Sequence, residues 1–271
     1  MKIEDTIHFQ NYEDLESTIE LLLDLGFEIT GEVRTIQQDD IDYYSQIIIY
    51  DPEIYDVGIS DTGMLTHIEP LSDNGKRVTW YTNGKRKDLV TLKEGKLDGD
   101  WFSWYEDGNL LAVRNYTENY YDLEWIEYFP SGQIKLKHEY SIGSPSGVWE
   151  KYFEDGTIMW RGRVDGSNQD GDHNQVGEWK SWYKSGQLMT KGSYNEAGER
   201  VGEWFRWRKN GDIFFENKFG DVAESRCVTY YSRSGKKIES FDPYPDLEID
   251  RIFSFYPESD FFDIYPNNER Y

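Results

Sequence analysis

Hydrophobic and polar positions recur along most of the chain with a spacing of about 24 residues. The stretch GVWEKYFEDGTI, residues 147–158, places a glycine, a tryptophan two residues later, two aromatics, an Asp-Gly step and a branched aliphatic in that order. Residues 99–110, 177–188 and 202–213 repeat this order with other residues in between. We therefore interpret the stretch as one unit of an internal repeat.

Four columns stay in register when the units are aligned on the glycine of the Asp-Gly step. The aligned glycines are Gly84, Gly108, Gly132, Gly156, Gly186, Gly211 and Gly235. Seven residues earlier stand Trp101, Trp125, Trp149, Trp179 and Trp204. Four residues earlier stand Trp80, Trp104, Tyr128, Tyr152, Trp182, Trp207 and Tyr231. Two residues later stand Leu110, Ile134, Ile158, Leu188 and Ile213, and eight residues later an aromatic such as Tyr116, Tyr140, Tyr194 or Phe219.

The repeat predicts hairpins. Asp-Gly or Asn-Gly between aromatic and aliphatic runs is a hairpin signature, because glycine readily adopts the positive φ that a tight turn needs. A lone hairpin is barely stable in water, so neighbouring hairpins must pair edge to edge. We expect a mainly β protein: an elongated single-layer antiparallel meander of about seven hairpin repeats over residues 73–240.

Alternation along the strands divides the columns between two faces. With a three-residue turn and a bulged glycine, one face collects an apolar core set: Tyr128, Tyr152, Trp182, Ile134, Ile158 and Leu188. The opposite face is expected to join the first tryptophan column with Lys135, Lys137, Arg161, Arg163 and Lys191. That face is a candidate aromatic binding surface, carried by Trp101, Trp125, Trp149, Trp179 and Trp204. The alternative is an aromatic ladder that only stabilises the sheet.

The motif G-x-W-x-x-W/Y-Y/F-x-x-G-x-L/I resembles the MORN repeats, and more closely their bacterial variant, the YwqK-type antitoxin-like family. The resemblance covers about residues 75–240. It implies a single-layer β-meander used for protein contact, and some MORN proteins are described as binding membrane lipid. The first and last units depart from the motif, with Arg77 and Val228 at the tryptophan position. We interpret both as capping units.

Residues 1–72 are expected to form a small acidic α+β cap at the first edge of the array. Residues 12–25 place Leu15, Ile19, Leu22 and Leu23 at helical spacing, and Gly26 ends the helix. Residues 27–36 and 42–51 are expected to be strands, and residues 58–70 a third.

The net charge of −23 is concentrated at the two ends of the chain. Residues 1–70 hold 17 acidic residues against Lys2 and Arg34, a formal charge of −15, and residues 241–271 hold eight acidic residues against two arginines, −6. The remaining −2 belongs to residues 71–240. Such a field repels nucleic acid and anionic lipid and attracts a cationic partner. The alternative is that the surplus acid serves solubility alone.

Carboxylates between the strands of the N-terminal region are the first-choice contact site for that partner. They are Asp39, Asp40, Asp42, Asp51, Glu53 and Asp56. Their spacing in the sequence predicts one negative surface. Clusters of this kind also bind metal in some proteins, but most often they are only solvated, and we expect no metal site.

The C-terminal residues 241–271 interleave acidic, aromatic and proline residues. Phe253, Phe255, Phe261 and Phe262 favour a strand or cap that packs back on the array. A detached acidic and aromatic peptide that docks on a partner is the alternative.

Little in the sequence indicates catalysis. The four histidines lie far apart, and no G-x-S-x-G, P-loop or cysteine pair occurs. Residues 164–178 contain five candidate calcium ligands, Asp165, Asn168, Asp170, Asp172 and Asn174. They fail the EF-hand spacing, and the step between units lengthens there to 30 residues. We therefore expect an enlarged, dispensable loop at residues 165–175 and no cofactor.

Three functional hypotheses follow. The first is a cytoplasmic, monomeric bacterial immunity or antitoxin protein that occludes a cationic protein toxin without binding nucleic acid or membrane. A cytoplasmic protein is expected because the N-terminus lacks an apolar signal segment and no run of 18 apolar residues occurs. The second is a MORN-type scaffold or membrane-surface protein. The net negative charge argues against binding to anionic lipid and leaves the scaffold role open. The third, an enzyme within the first 70 residues, lacks a visible nucleophile–base pair.

Overall fold

The computed structural model describes residues 1–38, 40–167, 173–219, 227–232 and 234–241. The protein is mainly β and is built from antiparallel hairpins, as predicted. Its contacts divide the chain into two compact units. The first unit comprises Met1–Asp122 with Pro130–Gly132, and the second comprises Leu123–Phe129 with the residues from Gln133 onward.

The N-terminal part of the first unit is one helix and a three-stranded sheet. Its elements are β1 (Ile3–Phe9), α1 (Tyr12–Asp24), β2 (Glu28–Gln38) and β3 (Ile41–Tyr50), with sheet order β1-β3-β2. The Asn11 side chain caps the helix by accepting a 2.8 Å hydrogen bond from Glu13 N, and Gly26 follows the helix with φ +86°. The predicted helix and two strands are confirmed. Strand β1 was not predicted.

A second sheet of the first unit contains six strands that pair with their sequence neighbours. They are β4 (Tyr55–Ile59), β5 (Leu65–Pro70), β6 (Gly75–Trp80), β7 (Arg86–Lys93), β8 (Lys96–Trp104) and β9 (Leu110–Thr117). Residues 58–70, predicted to be one strand, instead contain a turn at Gly63 between β4 and β5. This turn has the same hydrogen bonds as the repeat turns, so the meander begins one hairpin earlier than expected.

The second unit continues the same strand-to-neighbour pairing. Its strands are β10 (Tyr120–Tyr128), β11 (Ile134–Ser141), β12 (Ser144–Tyr152), β13 (Ile158–Ser167), β14 (His173–Trp182), β15 (Leu188–Tyr194), β16 (Arg200–Trp207), β17 (Ile213–Phe219), β18 (Cys227–Tyr231) and β19 (Lys237–Phe241). The tail proposed for residues 241–271 lies outside the described residues from residue 242 onward.

The expected turn is present at the aligned glycines. At the first of them, Gly84 N donates to Tyr81 O at 3.0 Å and Tyr81 N donates to Lys85 O at 2.8 Å. All seven aligned glycines have a positive φ between 77° and 93°. Glycine is needed there because a side chain is strained in this left-handed region.

A β-bulge that the sequence did not reveal follows the turn. In the hairpin β12–β13, Tyr152 pairs with Ile158, but Lys151 pairs with Trp160, so Met159 is the extra residue. The same shift occurs after Gly84, Gly108, Gly132, Gly186 and Gly211. One extra residue reverses which face each later side chain of the returning strand occupies. The predicted partition of the two faces is therefore wrong.

The helix and the small sheet pack on a face of the first repeats. Their core residues Ile7, Phe9, Leu15 and Ile48 belong to one buried cluster with sheet residues of the repeats. These sheet residues are Leu65, Ile68, Val78 and Trp80. The N-terminal region thus covers the face that carries the tryptophan four residues before Gly84, which leaves the opposite face of these strands for other contacts.

The lengthened unit between Gly156 and Gly186 is a longer hairpin. Val164 pairs with Gln175, and the backbone of Ser167 pairs with that of His173. Residues 165–167 and 173–175 are therefore strand and not loop, which corrects the expectation for these residues. Residues 168–172 lie outside the described residues, and the dispensability of the segment stays a prediction. The candidate calcium ligands at 168, 170 and 172 lie outside the described residues.

Candidate protein-binding surface

The acidic residues proposed as the contact site lie at opposite ends of β3. Asp40 and Asp42 are exposed at its start, and Glu53 and Asp56 are exposed beyond its end. A strand of this length separates the two groups by about 30 Å. The predicted single negative surface is therefore two separate groups, and Asp39 lies outside the described residues.

Asp51 has a local structural role. Its Oδ1 accepts a 3.0 Å hydrogen bond from Glu53 N, and its carbonyl oxygen accepts bonds from Ile54 N and Tyr55 N. These bonds hold the turn into β4, which places Asp56 beside the next strand. There Asp56 Oδ2 lies 3.4 Å from His67 Nε2.

Three of the four column tryptophans in the second unit are buried, contrary to the expected wet surface. Trp149 and Trp179 are 3% exposed, and Trp204 is wholly buried. Each indole Nε1 donates to backbone carbonyl oxygens, for example from Trp179 to Arg163 O at 3.0 Å. Side chains in this environment stabilise the sheet, and only Trp101 and Trp125 of the column are half-buried.

The bulge places glycines, rather than charged residues, opposite two of the buried tryptophans. Trp149 pairs with Gly162 and Trp179 pairs with Gly192, where the unbulged register would have set arginine or lysine opposite them. A Cβ on Gly162 would lie 1.9 Å from the Trp179 ring. The indole thus lies flat on a backbone that has no side chain to displace it.

Four of the five lysines and arginines expected beside the tryptophans lie on the other face: Lys137, Arg161, Arg163 and Lys191. The fifth, Lys135, is the bulge residue of its hairpin, and its Nζ lies 3.6 Å from Glu127 Oε2. Arg161 and Lys191 pair with Glu150 and Lys180 in neighbouring strands. Ion pairs run along this row, with Arg161 Nε 3.2 Å from Glu150 Oε1 and Lys191 Nζ 3.0 Å from Glu178 Oε2. Hydrogen bonds from Lys180 and then Lys191 lower the pKa of Glu178. The opposite charges on this face therefore pair with one another, and the face is in contact with solvent.

In the first unit, a half-buried groove that contains one carboxylate occupies the face away from the helix. The groove is a hollow of about 280 Å³ lined by Arg77, Thr79, Asp88, Val90 and Trp101. Cross-strand pairing brings these side chains together, since Val90 lies between Arg77 and Trp101, and Asp88 lies opposite Thr79.

Asp88 organises the groove. Its Oδ1 accepts hydrogen bonds from Trp101 Nε1 at 3.0 Å and Ser103 Oγ at 2.9 Å, and its Oδ2 accepts a longer bond of 3.4 Å from Thr79 Oγ1. Arg114 completes the wall, with its guanidinium carbon 5.5 Å from the Trp101 ring centre and Nη1 donating to Ser103 Oγ at 3.1 Å. The Trp101 indole therefore differs from the buried ones, because it bonds a carboxylate.

Sequence reasoning identified Trp101 but missed Asp88. A signal was present four residues after the turn glycine, where five of the other six units carry an uncharged residue and only the last, a capping unit, carries a carboxylate, Glu239. The five uncharged residues are Ala112, Leu136, Trp160, Thr190 and Phe215. Four of these five are buried, so a carboxylate in the same column marks an unusual environment. The groove was overlooked because the columns were compared only where they agree.

Neither a metal-binding cluster nor a membrane-spanning helix is found in the part of the chain that the structure describes. No group of three or more His, Cys, Asp or Glu side chains there is arranged to hold a metal ion. Within the same ranges, no helix has the length and apolar character needed to cross a membrane.

Comparison with known families agrees with the repeat architecture. A family model described as a MORN repeat variant matches residues 97–118, 121–141 and 175–196. The chain contains MORN-variant repeats. Each match begins in or near the first strand of a hairpin and ends in or just after its returning strand. A search of curated proteins finds no match. MORN repeats support a scaffold or protein-interaction role for the array.

Proposed function

We propose that the protein is a non-catalytic binding protein of the immunity or antitoxin class, which neutralises a cationic bacterial protein toxin by occluding it. The observation that carries the proposal is the charge of residues 1–70, which is −15 against −2 for residues 71–240. In the repeats, the acidic residues are nearly balanced by lysine and arginine. The acidic residues of the N-terminal region have no comparable supply of bases.

The structure presents much of this charge to solvent. Asp40, Asp42, Glu53 and Asp56 are exposed. The few ion pairs that involve residues 1–70 in the described chain are Lys2 with Glu28, Asp56 with His67, and Glu69 with Arg77. A surface with unbalanced charge accelerates association with an oppositely charged protein and disfavours nucleic acid and anionic membranes.

Each of the two units supplies a packed frame of the kind that occlusion requires. The buried tryptophans of the second unit and the helix-covered first strands fix the side chains of the array. The proposal assigns no reaction and no cofactor to this frame, and it places the complex in the cytoplasm.

Affinity capture from the native cell, followed by mass spectrometry, tests the proposal. We expect a small basic protein that is released by raising the salt concentration, and whose toxicity on expression is suppressed by co-expression of this chain. Capture of an acidic or neutral protein would contradict the proposal, as would a basic protein whose toxicity co-expression leaves unchanged.

A further inference from the structure

The groove of the first unit contains a carboxylate with neutral partners. Asp88 accepts its three hydrogen bonds from an indole and two hydroxyls. In the part of the chain that the structure describes, no lysine, arginine or histidine nitrogen lies within 4.0 Å of this carboxylate. The donors fix its orientation without neutralising it, and the long bond to Oδ2 leaves that oxygen able to accept another donor.

An aromatic wall stands next to this carboxylate. Trp101 lines the same hollow and already has one cation near its ring, that of Arg114. Tryptophan is the best aromatic partner for a guanidinium or ammonium group. A cation that enters the hollow therefore finds an indole and a carboxylate held together by their own hydrogen bond.

The size of the hollow suits one long side chain. Its volume of about 280 Å³ is at the lower end of the roughly 300–1,000 Å³ that is usual for ligand pockets, and it is enough for one long side chain. Val90 lines the hollow between Arg77 and Trp101 and supplies its aliphatic wall. Long basic side chains have this composition, with an apolar stem and a charged end.

The surrounding charges agree with a cationic guest. Arg77, the one basic residue among the five that line the hollow, has its Nη1 3.3 Å from Glu69 Oε1. Asp56 pairs across the strands with Glu69, so further carboxylates lie along the same row. Arg77 is paired with Glu69, and Arg114 donates to Ser103 Oγ, so neither guanidinium pairs directly with the Asp88 carboxylate in the described part of the chain.

We propose that this groove is the docking site for an arginine side chain of a cationic protein partner. The guanidinium group stacks on Trp101 and donates to the Asp88 carboxylate, while its stem contacts Val90. Arginine fits better than lysine because its planar, forked donors stack and bond a carboxylate at the same time. The inference rests on the proposed function and names the first-unit residues that carry it.

The test uses the full-length protein and two peptides of equal charge, octa-arginine and octa-lysine. We expect octa-arginine to bind more tightly and to shift the indole N–H resonance of Trp101, which is assigned by its loss in Trp101→Phe. Asp88→Asn should weaken octa-arginine binding about tenfold, as expected for a partly exposed charge-assisted bond.

Glu106→Gln is the matched control, because it removes one negative charge from an exposed turn of the neighbouring hairpin. It should change the affinity by less than about twofold, and both variants should retain the parent melting temperature and circular dichroism within a few degrees. If the two substitutions weaken octa-arginine binding equally, the groove is not the docking site and general charge attraction accounts for the binding. An unmoved Trp101 resonance or equal affinity for octa-lysine would also overturn it. These outcomes leave the capture experiment intact, so the two proposals fail separately.

Discussion

The indole ring of Trp204 lies against the backbone of Gly192, so closely that a Cβ on Gly192 would be 2.0 Å from ring atom Cδ2. Gly192 does not have a positive φ, so its backbone conformation is open to other residues. The glycine is required by the ring that covers it. Trp179 and Gly162 repeat the relationship one hairpin earlier.

Gly192→Ala should destabilise the protein by about 1–3 kcal/mol, because an inserted methyl group overpacks the contact with Trp204. Urea denaturation measures the free energy of unfolding. In a Trp204→Leu background the same substitution should cost clearly less, since the flat ring is gone. Equal costs in the two backgrounds would show that the ring is not the cause.

Trp179→Ala should destabilise by about 3–5 kcal/mol as a core truncation, and Trp182→Ala should cost less. This order follows from burial, since Trp179 is 3% exposed and Trp182 is half-buried. It is the reverse of the order implied by the predicted register, which lacked the extra residue after the turn. Thermal and urea unfolding of the two variants decide between the registers. A larger loss of unfolding free energy in Trp182→Ala than in Trp179→Ala would support the register predicted from the sequence.

Tyr50 should make stability depend on pH in alkaline solution. Burial, and then the hydrogen bond of 3.0 Å to Asp5, raise its pKa to about 12. An unfolded tyrosine titrates near 10, so the folded state holds this proton more tightly. The resulting stabilisation is complete below pH 10 and is lost as pH rises to about 12.

Comparison of parent and Tyr50→Phe isolates this effect. The free energy of unfolding of the parent should fall more steeply between pH 10 and 12 than that of the variant. Asp5→Asn should lower the pKa of Tyr50, seen as earlier phenolate absorbance at 295 nm. Parallel pH profiles for parent and Tyr50→Phe would rule out the contribution.

The hairpins were predictable because their signals are local. A positive φ in a tight turn needs glycine, and the columns around Gly84 or Gly156 repeat that requirement. The bulge was not predictable from alternation, because Met159 and Trp160 are both apolar and fit either face. Gly162 and Gly192 did hold the missing information, since only a missing side chain lets an indole approach the backbone.

The candidate site was less predictable because it depends on distances through space. Asp42 and Asp51 are close in sequence, yet they lie at opposite ends of the extended strand β3. Conversely, Asp88 and Trp101 lie 13 positions apart and meet across a strand pair. The acidic region can be located by counting charges along the sequence. The groove can be found only from the cross-strand pairing, which brings its residues together.

The acidic N-terminal region should determine the rate of association with the captured cationic partner. The decisive variant neutralises Asp40, Asp42, Glu53 and Asp56 as Asn or Gln and leaves the turn-forming Asp51 in place. Its matched control converts Glu106, Glu154, Glu196 and Glu203, four exposed acids of the repeats, to Gln. Both variants lose four negative charges, so only their location differs.

Stopped-flow association rates of parent and both variants, measured from low salt to 0.15 M ionic strength, test the central claim most directly. The Debye length falls to about 8 Å at the upper end, so a steered association slows as salt rises. We predict that the N-terminal variant associates about tenfold more slowly at low salt and loses much of the salt dependence, while the control stays close to the parent. Unchanged rate and salt dependence in the N-terminal variant would contradict the account.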